Sequence, residues 1–84
     1  MSLIRLRENL VHLRLTSGYT ATGLAKLLNK KSHSYVTHWE LGTALPQTPD
    51  LVMLSQLYDV SINDLVRKDL TKINNINSQN LNQS

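Results

Sequence analysis

The chain has 84 residues, a formal net charge of +3 and no cysteine, so it forms one small domain that neither disulfides nor cysteine-ligated zinc can hold together. Burial of apolar side chains has to stabilise it instead. Charged residues interrupt every apolar run near the N-terminus, which argues against a secretory signal or a membrane span, and the lack of cysteine fits a reducing cytoplasm.

In chain order, Leu3, Leu6, Leu10 and Leu13 recur at three- and four-residue spacing, which predicts an amphipathic helix from about Ser2 to Thr16 that Gly18 ends. Leu24, Leu27 and Leu28 mark the buried face of a second helix from Thr20 to Leu28, with Ala25 small enough for a neighbouring helix to press closely. Asn29, Lys30, Lys31 and Ser32 form a polar break. Ser32 is the expected N-cap of a third helix over 33–41, which hides Val36 and Trp39 and turns His33, Ser34, Thr37 and His38 outward. Gly42 closes it in a left-handed conformation. Pro46 and Pro49 predict an extended segment, after which Asp50 opens a fourth helix with Leu51, Leu54 and Leu57 or Tyr58 inward. A fifth helix follows Ser61, where Asp64 supplies a capping-box partner and Val60 packs on Leu65. No stretch alternates with period two long enough to predict a strand. The fold class is therefore all-α, a compact five-helix bundle.

Charge is unevenly placed. Over residues 1–46, Arg5, Arg7, Arg14, Lys26, Lys30 and Lys31 stand against Glu8 and Glu40, a net +4; residues 47–84 carry a net −1. Positive charge thus gathers in the half containing the two short helices and their break, where it would draw in phosphates. A bland reading applies to Lys26 and Lys30, as a solvated face.

The string Thr20, Leu24, Ala25, Val36, Thr37, Trp39, Glu40, Gly42 and Pro46 resembles the Cro and repressor (Xre-like, lambda-repressor-like) helix-turn-helix family. Leu10, Leu13, Arg14 and Gly18 fit that family's preceding helix, and Ser61, Ile62 and Leu65 its closing one, so the resemblance covers about residues 3 to 68. It implies five helices and sequence-specific binding to double-stranded operator DNA, commonly as a homodimer. It also implies that Arg14 and Glu40 meet as a structural ion pair tying the 33–41 helix to the scaffold. Three departures stand out: Ala21 replaces the usual Gln, Gly23 lowers helix propensity, and the turn is one residue longer, with Lys30 and Lys31 before Ser32. That extra residue leaves the register of the third helix open by one position.

Phosphate contacts orient such a domain, whereas base edges carry the sequence information. The resemblance assigns base reading to His33, Ser34, Thr37 and His38, with backbone contacts from Thr20, Lys31, Ser32 and Thr43. Tyr35 has two readings, against the sugar-phosphate backbone or against the second helix. Trp39 is read as core, its indole edge within reach of the DNA backbone as the alternative. The expected function is a DNA-binding transcriptional regulator, a repressor that inserts the 33–41 helix in the major groove as a dimer. Two alternatives are an antitoxin-type protein that binds a toxin and regulates itself, and a restriction-modification controller.

No enzyme chemistry is expected, since the sequence has no Ser-His-acid spacing and no glycine-rich phosphate loop. No cofactor or metal is expected either: His33 and His38 are five apart, and no cysteine completes a tetrahedral set. The expected domain is residues 1–68. Residues 69–84 form an Asn-rich tail whose composition suits disorder, yet Val66, Leu70, Ile73 and Ile76 keep helical spacing. A C-terminal helical extension making dimer contacts is one reading of that tail and a monomer with an ordered tail the other; it is also the segment a toxin would have to use.

Overall fold

The computed structural model describes residues 3–71, which form five helices: α1 (Leu3–Ser17), α2 (Ala21–Leu27), α3 (Ser34–Leu41), α4 (Thr48–Tyr58) and α5 (Ile62–Arg67). No strand is present among the described residues, as the missing period-two pattern requires. The tail assigned to dimer contacts lies, from residue 72 onward, outside the described residues.

One apolar core joins all five helices. Leu6 and Leu10 from α1, Leu24 and Ala25 from α2 with Leu28 at its C-cap, Val36 and Trp39 from α3, Leu54 from α4 and Leu65 from α5 are all buried. α1 is the central element, packing on both α3 and α5, while α2 packs on α3 and α4 on α5. Leu27, expected inside, is instead 49% exposed. The buried stripe of α2 is Leu24, Ala25 and Leu28, and at about 100° per residue Leu27 lies roughly 110° round from its centre.

The first four helices end alike. Gly18, Asn29, Gly42 and Asp59 all adopt positive φ. The following N–H then donates back five residues: Tyr19 to Arg14 O, Lys30 to Ala25 O, Thr43 to His38 O and Val60 to Ser55 O, each at 2.9–3.1 Å. Such closures satisfy carbonyls that the helix itself leaves unpaired. Asparagine and aspartate visit this region at modest cost because their short polar side chains bond locally, which is why Asn29 can end α2 without glycine.

α4 begins earlier than expected. It starts at Thr48, and Pro49 sits within its first turn rather than in an extended segment. Proline is tolerated there because the N–H it lacks has no partner inside the helix anyway. Asp50 therefore does not open α4; from the first turn its Oδ2 accepts the Gln47 N–H at 3.2 Å. At α5 Ser61 is the N-cap, its Oγ accepting the Asp64 N–H at 3.0 Å, which is one half of the expected capping box.

Asn9 is fully buried in α1 and ties that helix to α5 and the residues just after it. Its Nδ2 donates to Leu65 O at 2.8 Å and Lys68 O at 2.6 Å, and its Oδ1 accepts the Leu70 N–H at 3.1 Å. With Arg5 also bonded to Asp69 at 3.2 Å, packing continues past residue 68 into the start of the tail.

Candidate nucleic-acid interface

Two short helices and the turn between them build the candidate surface. Thr20 caps α2, its Oγ1 accepting the Gly23 N–H at 2.9 Å. Gly23, which weakens the helix, leaves room for that cap, because a Cβ there would stand 3.2 Å from the threonine oxygen.

At the start of α3 the structure moves the cap by one residue. His33, not Ser32, is the N-cap, and its side chain makes no capping bond. Ser32 Oγ still accepts the Ser34 N–H at 3.1 Å and lies 2.6 Å from Ser34 Oγ. The hydroxyl thus pairs with the helix start from one position before the N-cap.

α3 buries Val36 at 1% exposure and Trp39 at 5%, which fixes its roll about its own axis. At about 100° per residue, Ser34, His38 and Leu41 then fall on the side facing away from the core, with Thr37 and Tyr35 flanking them. His33, His38, Tyr35, Lys31, Ser32, Thr20 and Thr43 are exposed, and Ser34 and Thr37 are half-buried. The structure therefore brings Ser34, Thr37 and His38 onto one accessible surface, with exposed His33 at the N-cap beside it. Leu41 shares it, 62% exposed, and hydrogen-bonding logic gave no reason to choose it.

Several of these side chains already have partners. His38 Nδ1 lies 2.8 Å from Thr43 Oγ1, so Nε2 is the ring nitrogen left for an incoming group. Thr37 Oγ1 donates to His33 O at 3.2 Å, which uses its hydroxyl proton within the helix. Ser34, Tyr35, His38, Trp39 and Ala44 line an open cleft of about 360 Å³ beside the helix.

α3 is attached to the scaffold at its far end by Arg14 and Glu40. Nε donates to Oε2 at 2.6 Å and Nη2 to Oε1 at 3.0 Å, a two-pronged pair whose side chains are only 16% and 14% exposed. A third donor, Nη1, reaches Tyr19 O at 3.0 Å. The Glu40 hydrogen bond raises the Arg14 pKa above its ordinary value, so the guanidinium is charged at every accessible pH. Tyr58 stands beside this pair, its ring 6.4 Å from that of Tyr19. Burial, and then the neighbouring Tyr19 and Glu40, push its phenol up to about 12. Its hydroxyl is buried without a hydrogen-bond partner among the described residues. Arg7 adds a lighter contact, donating to Leu41 O at 3.3 Å where the dipole of α3 ends.

Lys30 is not a solvated lysine. Its Nζ lies 2.8 Å from Asp50 Oδ1, with the lysine side chain 23% and the aspartate 9% exposed. The same ammonium stands 5.0 Å from the centroid of Tyr35. Four of the six basic residues in the first half are thus engaged, Arg5, Arg7, Arg14 and Lys30. Lys26 and Lys31 are exposed, and no carboxylate among the described residues pairs with either. The charge available to phosphates is smaller than the sequence count implies. No group of three or more histidine, aspartate or glutamate side chains among the described residues is placed to hold a metal.

A bundle with this helix pair, its polar face outward, defines a DNA-binding domain of the helix-turn-helix class. The helix-turn-helix family model of Cro and repressor (Xre-like) type matches residues 12–65, and the chain belongs to that family. It is accordingly a DNA-binding transcriptional regulator, of a kind that is not typically enzymatic. No curated protein and no solved structure matches the chain. Among the described residues, no helix is long and apolar enough to cross a membrane.

Proposed function

We propose that the protein is a sequence-specific repressor that inserts α3 into the major groove of operator DNA as a homodimer. The observation carrying this reading is the burial of Val36 and Trp39, which leaves Ser34, Thr37 and His38 outward on a helix short enough to lie in the groove. Each base pair presents a distinct pattern of donors and acceptors there. His38 Nε2 and the Ser34 hydroxyl are the hydrogen-bonding readers, with His33 at the helix entrance. Leu41 and the Thr37 methyl suit the C5-methyl of thymine. Thr20, the turn residues Lys31 and Ser32, Tyr35 and Thr43 hold the backbone. Thr43 acts in part through the imidazole it bonds. Residues 1–68 form the reading domain, residues 69 and 70 close back on α1 of the same chain, and the rest of the tail serves the dimer. Two subunits then address half-sites about one helical turn, ~34 Å, apart.

Selection of bound duplexes from a random pool, repeated with Ser34→Ala and His38→Ala, tests this. Each variant is expected to lose preference at defined base pairs, by about 1–3 kcal/mol, while keeping non-specific binding. Unchanged preference in both would reject α3 as the reader. Sedimentation of the chain with and without residues 70–84 tests the tail: an unchanged state excludes it from dimer formation.

A further inference from the structure

We propose that the Lys30–Asp50 pair is a positioning device for the DNA interface, holding Tyr35 and the first turn of α3 in place while withholding Lys30 from the phosphates. The proposal rests on the reading of α3 as the groove helix. Three elements meet at Lys30: the turn that carries it, α4 through Asp50 at 2.8 Å, and α3 through the Tyr35 ring at 5.0 Å. The carboxylate cannot follow the lysine outward. Its other oxygen accepts the Gln47 N–H at 3.2 Å as part of the α4 start, and its side chain is 9% exposed.

Moving Lys30 to a phosphate would therefore leave a buried carboxylate unpaired, a loss that one solvent-screened phosphate contact does not offset. Lys30 stays where it is. Its ammonium, attracted to the negative face of the phenol ring, then holds Tyr35 in the same arrangement. Tyr35 lines the cleft shared with Ser34 and His38, so α4, which carries no proposed base-reading residue, sets the wall beside the proposed readers. Lys31, adjacent in sequence but exposed and without a carboxylate partner among the described residues, is the turn lysine left for DNA.

Two measurements test the device, one without DNA. In the free protein the ε-methylene protons of Lys30 are expected to be shifted upfield by the Tyr35 ring, and to return to random-coil values in Asp50→Asn. In duplex titrations from 50 to 200 mM salt, Asp50→Asn releases Lys30, and the log–log slope steepens by about 0.9, an extra threefold or so in salt sensitivity. Lys30→Met keeps the wild-type slope. Because that variant strands the Asp50 charge, the double variant Lys30→Met with Asp50→Asn is measured beside it and is expected to keep the slope too. Both relax base preference at the α3 entrance, and Lys30→Arg, which retains charge and ring contact, restores it. A slope flattened by about 0.9 in Lys30→Met or the double variant would show Lys30 on a phosphate and overturn the proposal. So would an unshifted ε-methylene in the wild type. A chain that bound no duplex would instead defeat the operator reading, and the shift alone would then decide the lysine's role.

Discussion

α3 is held at two seams that work differently. At the α1 seam, Arg14 and Glu40 make two parallel hydrogen bonds between well-matched planar groups, with a third to a backbone carbonyl. At the α4 seam, a single ammonium bridges one carboxylate oxygen and one aromatic face. The first kind of contact specifies direction as well as distance, whereas an ammonium on a flexible stem acts as a point charge. The difference teaches that the far end of α3 is fixed in orientation by the guanidinium, while its entrance is fixed by accumulated weaker contacts.

Breaking the guanidinium seam should have the largest effect. Glu40→Ala leaves a largely buried Arg14 without its counter-charge and is expected to cost about 3 kcal/mol in chemical denaturation, with operator affinity falling in parallel. Asn9→Ala provides a contrast remote from DNA: three backbone groups lose their partner, and stability drops by about 2 kcal/mol while base preference is unchanged. A changed preference there would mean that the α1–α5 contact communicates with the reader. Gly42→Ala is next, at about 1–2 kcal/mol, because φ is +84° and the new Cβ would meet Arg7 at 3.1 Å. Asp50→Asn keeps an acceptor for the Gln47 N–H and should cost about 1 kcal/mol, less than Glu40→Ala; equal losses would erase the proposed distinction between the seams.

The smallest effect concerns Tyr58, at the edge of the α1 seam. Its folded pKa is raised to about 12 from the ordinary 10.0, so the unfolded chain loses this proton first as pH rises. The resulting stability is present in full below pH 10 and is lost progressively as pH climbs toward 12. Thermal melts of the wild type and Tyr58→Phe across that window check it: the phenylalanine variant should lose less stability over the same range.

The pattern of apolar residues alone determined much of this protein. Leucine spacing in α1, the Val36 and Trp39 pair in α3 and the positive-φ glycines at 18 and 42 fix local states, because each depends on neighbours within a turn or two. Pairing Arg14 with Glu40 needed the resemblance to a known family, since the residues are 26 apart and nothing local links them. The roles of Lys30, Asp50 and Asn9 were decided only by tertiary packing. A lysine reads as solvated and an asparagine as a surface group until the fold removes water around them, and then each has to take whatever partner a distant segment presents. Sequence set most of the faces that turn inward; the meeting of remote helices set which polar groups stay exposed.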